Sequence, residues 1–359
     1  MSVPADPIQA GWHARWIEAA AALGLGLYLP AASYDPRATF KTSKRLLGAP
    51  APRPTVWSWM FGRRRSHEVL VCAYSPDPEA ATTVTSIVAR IDPPLLLGLD
   101  VWRAAGRFDG RSWAPERTSA LFARATSALA ALAGVAASTV TIMDSTVTVT
   151  LPHLAADARE IDAVLDVACA AADALSEARR ALPKTEGERA QEAAWQAFAS
   201  EEGLAFDADR LELAGTVAGS KTRIALEGEP LAAVTTVHAD YPARLGLGLS
   251  ITKQRGPSIL NSLLGVVDLP TGDAWFDEAF VVRGTPAVSV QRLLWNAELR
   301  RAIDELGRGA RDFELGDGHL YAQYATPMAT QAELRGLVGR IAFVLGTLFP
   351  GTTARGPYR

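Results

Sequence analysis

The feature that most constrains this chain is an internal repeat. Trp16 is followed after seven residues by Gly24-Leu25, and Trp195 after seven residues by Gly203-Leu204, each glycine standing where a helix C-cap is expected. Thr85 to Val101 aligns without gaps on Thr235 to Ile251, which pairs Leu97-Gly98-Leu99 with Leu247-Gly248-Leu249. Ile161, Val164, Leu165, Ala168, Ala172 and Leu175 mark one helical face, and Leu334, Leu337, Val338, Ile341, Leu345 and Leu348 repeat it at the same intervals. Before each of these helices lies a hairpin signal. Asp144-Ser145 separates Thr139–Met143 from Thr146–Leu151, and Asp317-Gly318 separates Asp312–Leu315 from His319–Tyr324. Four matches in the same order imply two diverged copies of a unit of roughly 175 residues.

The expected fold is therefore α+β: a tandem duplication of a helix, antiparallel strands, helix, hairpin, helix unit, with its copies about a pseudo-twofold axis. Strands arrive in runs, which favours antiparallel sheets with helices on one face. In the second copy helices are expected at about 186–202, 287–306 and 330–349, with strands at 210–217, 222–226, 232–239 and 245–252. The first repeat spans 1–182 and the second 187–359, joined by a short polar linker across which the copies are expected to pack on each other.

Composition narrows the function classes without choosing one. The 359 residues carry a net charge of −3, and only five of 36 basic residues are Lys. That balance gives no electrostatic reason to expect a nucleic-acid partner. The start of the chain lacks a basic, then apolar, leader, and Leu334 to Phe349 is interrupted by Arg335 and Arg340, so neither a secretory signal nor a membrane span is expected. Cys72 and Cys169 are open to a disulfide but fit better as buried free thiols in a reducing cytoplasm, and the Ala-rich, Lys-poor composition fits a GC-rich bacterial genome. No cofactor motif is present: there is no Walker loop, no Gly-x-Ser-x-Gly elbow and no Gly-x-Gly-x-x-Gly entering a helix. The five histidines, His13, His67, His153, His238 and His319, show no metal-ligand spacing.

Candidate function concentrates where the copies differ. The first copy carries an insert at 34–67 with Pro50, Pro52 and Pro54, then Trp57 and Trp59, then Arg63-Arg64-Arg65. These side chains can contact an anion or a protein partner; alternatively the Trp residues anchor a loop whose arginines face solvent. The second copy carries a longer segment at 253–284. Its Asp268, Asp273, Asp277 and Glu278 can supply oxygen ligands to Mg²⁺ or Ca²⁺, although their spacing matches no calcium loop. The alternative is conformational: Asp273 caps a turn after Gly272, and Phe276 and Phe280 fill the core. The pattern Gly-Asp-x-x-Phe-Asp-x-x-Phe-Val-Val-x-Gly at 272–284, followed by Leu293-Leu294, Arg300, Leu306 and Asp317-Gly318, resembles a family of uncharacterised bacterial proteins. That resemblance covers about 200–349 and implies no activity, and Phe108-Asp109-Gly110 reads as a shortened relic of the motif in the first copy. Three readings follow: a non-enzymatic binding or scaffold protein using the inter-repeat surface and the divergent loops, a metal-assisted hydrolase on Asp273, Asp277 and Glu278, or a carrier of a small apolar ligand.

Overall fold

The computed structural model describes residues 7–28, 55–75, 83–229, 232–254 and 268–350. Its α+β chain separates into two compact units, Met1–Pro183 with Gly228–Ala232, and Lys184–Glu227 with Ala233–Arg359. The proline-rich part of the 34–67 insert lies outside the described residues, as do 255–267 of the later loop.

The first unit begins with helix α1 (Pro7–Leu23) and strands β1 (Gly26–Tyr28), β2 (Thr55–Arg64), β3 (His67–Ser75), β4 (Val84–Arg90), β5 (Asp100–Ala104) and β6 (Arg107–Arg111). Helices α2 (Pro115–Arg124) and α3 (Thr126–Ala133), hairpin strands β7 (Thr139–Met143) and β8 (Thr146–Leu151), and helix α4 (Ala158–Arg180) complete it. The second unit runs α5 (Glu186–Glu202), β9 (Ala205–Asp207), β10 (Glu212–Val217), β11 (Ser220–Glu229), β12 (Ala232–Asp240), β13 (Ser250–Lys253), α6 (Ala274–Ala279), β14 (Phe280–Arg283), α7 (Ala287–Leu294), α8 (Ala297–Gly309), β15 (Asp312–Gly316), β16 (His319–Tyr324) and α9 (Gln331–Leu348).

Each unit holds one eight-stranded sheet, in the order β1-β2-β3-β4-β8-β7-β5-β6 in the first and β9-β10-β11-β12-β16-β15-β13-β14 in the second. Counted from its own first strand, each sheet therefore reads 1-2-3-4-8-7-5-6. Helix α4 lies on β2, β3, β4 and β8 and is itself packed by α1, α2 and α3. Its face Ile161, Leu165, Ala168, Ala172 and Leu175 is fully buried, as is Leu334, Leu337, Ile341 and Leu345 on α9. Apolar side chains at helical spacing sink into a sheet face, and removal of that surface from water is the main stabilising contribution.

The two units share the same local fasteners. Trp16 donates its indole N–H to the Ala155 carbonyl at 2.9 Å, and Trp195 donates to the Met328 carbonyl at 2.8 Å. Thr85 accepts from the Ala155 N–H and donates to the His153 carbonyl; Thr235 accepts from the Met328 N–H and donates to the Thr326 carbonyl. Gly24 (φ 66°) and Gly203 (φ 67°) end the opening helices in the left-handed region, where glycine carries no Cβ penalty. The Arg103 guanidinium reaches the Ala133 and Val135 carbonyls after α3, and the Lys253 ammonium reaches the Arg308 and Ala310 carbonyls at the end of α8.

The Leu-Gly-Leu segments depart from expectation. Residues 245–249 form a loop and not a strand, with Gly246 and Gly248 at φ 70° and 53°. Its purpose lies in the hairpin turns. The Asp144 carboxylate accepts from the N–H groups of Leu97 (2.9 Å), Gly98 (2.7 Å) and Leu99 (3.2 Å). Asp317 accepts likewise from Gly246 (3.2 Å), Leu247 (2.7 Å) and Leu249 (3.3 Å). Each loop is a nest of convergent donors closed by the protein's own carboxylate. The single helix expected at 287–306 is also two helices, because the Asn296 side chain accepts from the Glu298 and Leu299 N–H groups and starts α8 afresh.

Candidate functional site

The acidic segment connects two antiparallel strands, β13 and β14. In the first unit β5 and β6 are joined by Ala105-Gly106 alone, and Asp100 faces Arg111. In the second, Ser250 faces Arg283 in the corresponding pairing, but residues 254–279 intervene between the strands. Register makes Phe280 the counterpart of Phe108. Phe276 and Phe280 are buried with ring centroids 4.9 Å apart, so the aromatics fasten the segment to the core.

The three candidate carboxylates have separate positions, and Asp273 and Asp277 have separate partners. Asp273 caps α6, accepting from the Phe276 N–H at 3.3 Å, and pairs with the Arg300 guanidinium at 3.1 Å. The Phe276 N–H first, and then Arg300, hold its carboxyl below the usual carboxylate range. Asp277 accepts from the Thr271 hydroxyl at 2.7 Å and from the Thr271 N–H at 3.0 Å, which closes the turn before the helix. Glu278 is exposed. Among the described residues, no three His, Cys, Asp or Glu side chains stand together in a way that could hold a metal ion. Asp268 pairs with Arg283 at 3.3 Å.

Beside Asp273 lies a depression of about 310 Å³, lined by Asp273, Trp275, Phe276, Ala297, Arg300, Arg301, Asp304 and Glu305. Trp275 stands at its side with 63% of its surface exposed. The Arg308 guanidinium carbon lies 3.9 Å from the Trp275 ring centroid, and Arg308 donates to the Trp275 carbonyl at 3.3 Å. Arg308 is in turn paired with Asp304, one turn earlier on α8. A cation over an indole face contributes about 0.5–1 kcal/mol at an exposed site, enough to favour one ring orientation. The result is an exposed aromatic surface held by Arg308 at both its ring and its carbonyl.

The arginine triplet stands at the end of a strand, with Arg63 and Arg65 exposed. Residues 55–64 are strand β2 and not a loop. Arg64 pairs with Asp162 at 2.7 Å and Asp166 at 3.2 Å, and Arg65 with Asp166 at 4.0 Å and Asp173 at 3.7 Å. Those aspartates form one stripe of α4, so Arg64 and Arg65 grip that helix. Bonding to Asp166 first, then the charge of Asp162, raises Arg64 above its ordinary range. His67, 3% exposed, joins the belt through Asp173 at 2.7 Å and the Arg90 carbonyl at 2.7 Å, while Arg63 donates to the Ser66 carbonyl. All these ion pairs except that of His67 are between half-exposed groups, and such pairs contribute little. An Asp166→Asn chain is expected to lose less than about 1 kcal/mol in urea unfolding at low salt, and less still at high salt. A larger, salt-independent loss would show that the belt carries the fold.

Trp59 is buried and stacks on Tyr28 with centroids 4.6 Å apart, in a small cluster with Leu70, Cys72 and Val88. The Trp57 side chain lies outside the described residues. Both Cys72 and Cys169 are buried free thiols, and burial pushes them up to about 12 and about 11.

Two contacts escaped sequence reasoning because their members are far apart in the chain. One is the Trp275–Arg308 pair. The other is His238 on β12 with His319 on β16, whose rings stack at 5.8 Å between centroids. A strand register for β12 and β16 would have revealed the second, since Asp240 faces His319 two residues beyond His238. No helix of the described residues is long and apolar enough to cross a membrane. No family model matches the chain, and no curated protein or solved structure is significantly similar to it.

Proposed function

We propose that the chain is a binding protein built from two tandem copies of one α+β unit, and that its second copy presents Trp275 to a protein partner. The duplication is supported by the common 1-2-3-4-8-7-5-6 strand order and by the paired fasteners Trp16 and Trp195, Thr85 and Thr235, and Asp144 and Asp317. On this reading the shared scaffold serves stability, and residues present in one copy alone serve recognition. The observation that carries the binding assignment is the exposure of Trp275, 63%, combined with its fixation by Arg308. Trp and Arg dominate the energetics of protein interfaces, and an anchor already held in one orientation loses less conformational entropy on association. The depression beside it, with Arg300 and Arg301 against Asp304 and Glu305, supplies polar groups of both signs for a rim.

A displayed library of random peptides, selected on the immobilised full chain, tests this. Selected peptides are expected to lose at least about tenfold in affinity for the Trp275→Ala chain, as removal of an aromatic anchor does. Its melting temperature should stay close to that of the parent because the side chain is mostly in water. Peptides that bind both chains equally, or a library that yields no binders, would remove Trp275 from the assignment.

A further inference from the structure

The sheets end on β6 in the first unit and on β14 in the second, each with one neighbouring strand. The outer side of β14 is bonded, because the Leu269 N–H donates to the Val282 carbonyl at 2.8 Å. Among the described residues, no segment bonds to the outer side of β6. Ala105 and Gly106, at φ 49° and 77°, close the β5–β6 hairpin on Ala104 and Arg107. The pair that closes such a turn exchanges hydrogen bonds, and bonding alternates along the strand from there. Arg107, Asp109 and Arg111 therefore turn their backbone groups to β5, whereas Phe108 and Gly110 turn theirs outward. The Asp109 carboxylate accepts from the Gly110 N–H at 2.7 Å. The backbone N–H and carbonyl of Phe108 face solvent. Such an edge is a template for another strand.

We propose that β6 pairs antiparallel with β6 of a second molecule of the same chain, about a twofold axis through Phe108, so that their eight-stranded sheets join edge to edge. In that register Phe108 exchanges both backbone bonds with its twin, and Arg107 of each molecule faces Asp109 of the other. Facing side chains of opposite charge favour a strand pair, and like charges oppose it. An axis through Asp109 would set Asp109 on Asp109 and Arg107 on Arg111, so charge selects the Phe108 register. Arg107 and Asp109 are both exposed, whereas Arg111 is engaged by Asp100 at 2.9 Å. As the Asp109 carboxylate turns to the second molecule's arginine, it frees the Gly110 N–H for the added strand. Trp102 faces Asp109 from β5 with 39% of its surface exposed, and the joint extends over this apolar border. A five-residue edge is far smaller than a standard interface, so the dimer is weak and reversible.

Sedimentation equilibrium of the full chain at low salt tests this. A monomer–dimer equilibrium is expected, weakened at least about tenfold by Arg107→Asp or by Asp109→Arg, because each change turns two attractions into two repulsions. An equimolar mixture of the two single variants should dimerise although neither does so alone, and the chain carrying both changes should dimerise as the parent does. Raised salt should weaken the parent dimer. Hydrogen exchange of the parent needs no variant: the Phe108 amide is expected to exchange several-fold more slowly at concentrations where the dimer prevails. A parent that stays monomeric at millimolar concentration, a dimer indifferent to both charge reversals, or exchange at Phe108 that is independent of concentration would each overturn the proposal.

Discussion

An Asp144→Ala chain is expected to unfold with about 3–5 kcal/mol less free energy than the parent, read from urea midpoints near pH 4, before the contribution of its carboxyl is lost. Asp144 is 1% exposed, and it is the acceptor for three N–H groups of the Leu97-Gly98-Leu99 loop. Each buried donor left without a partner costs about 1–3 kcal/mol, part of which entering water recovers. The corresponding Asp317→Ala change is expected to cost about half as much, because Asp317 lies in a partly exposed turn where water replaces the carboxylate more readily. Equal losses, or a loss under about 1 kcal/mol at Asp144, would show that the loops hold themselves.

The two aspartates should also titrate with opposite sign. Burial raises Asp144 from 3.8 to about 6, against the pull of the Leu97, Leu99 and Gly98 N–H groups and the charge of Arg179. A carboxyl raised in the folded state contributes stability that is complete below pH 3.8 and is lost as pH passes about 6. The stability difference between the parent and an Asp144→Asn chain should therefore fall by about 2.4 kcal/mol from pH 4 to pH 7. At Asp317 burial is again the largest single influence and acts upward, but the N–H groups of Leu247, Leu249 and Gly246 with the charge of Arg244 outweigh it, and the carboxyl lies below its ordinary range. Its contribution is present at neutral pH and is lost on acidification. Midpoints of the parent and the two asparagine variants across this pH range should diverge in opposite directions. Parallel profiles would refute the assignment.

Trp195→Ala is expected to cost about 3–5 kcal/mol, with Trp16→Ala close to it. Both indoles are fully buried, so truncation opens a cavity and leaves the Met328 or Ala155 carbonyl without its donor. Phenylalanine at either position keeps most of the packing and should recover more than half of the loss. Differential scanning calorimetry of the four variants measures this directly. A Trp→Phe change as damaging as Trp→Ala would place the energy in the hydrogen bond and not in the packing.

The elements legible in the sequence are those fixed by short-range rules. Thr185 with Glu188 and Thr330 with Glu333 are complete capping boxes, and the helices start where those pairs stand. The hairpins at Asp144-Ser145 and Asp317-Gly318 were readable from turn chemistry and alternating side chains. The expected 287–306 helix runs through Trp295-Asn296 because apolar spacing continues across the break, where a single Asn side chain is enough to start a new helix. The glycine-spaced leucines read as strands because the carboxylates that shape them come far later in the chain. Distance in sequence also hid the site chemistry: Arg64 meets its aspartates on a helix about a hundred residues on, and Arg308 covers Trp275 from the next helical layer. Residue type alone suggested an anion site and a metal loop at positions where neighbours already occupy most of the charge.

The β5–β6 turn has a practical consequence for protein engineering. One hairpin closes with Ala105-Gly106, while the β13–β14 hairpin accommodates residues 254–279 above four facing pairs, Ser250–Arg283 to Lys253–Phe280. Closure entropy rises only with the logarithm of loop length, so the short hairpin is a natural splice point for a foreign peptide. A segment grafted between Ala104 and Arg107 should leave the strands around it paired, turning the first unit into a display platform whose cargo is chosen independently of its architecture.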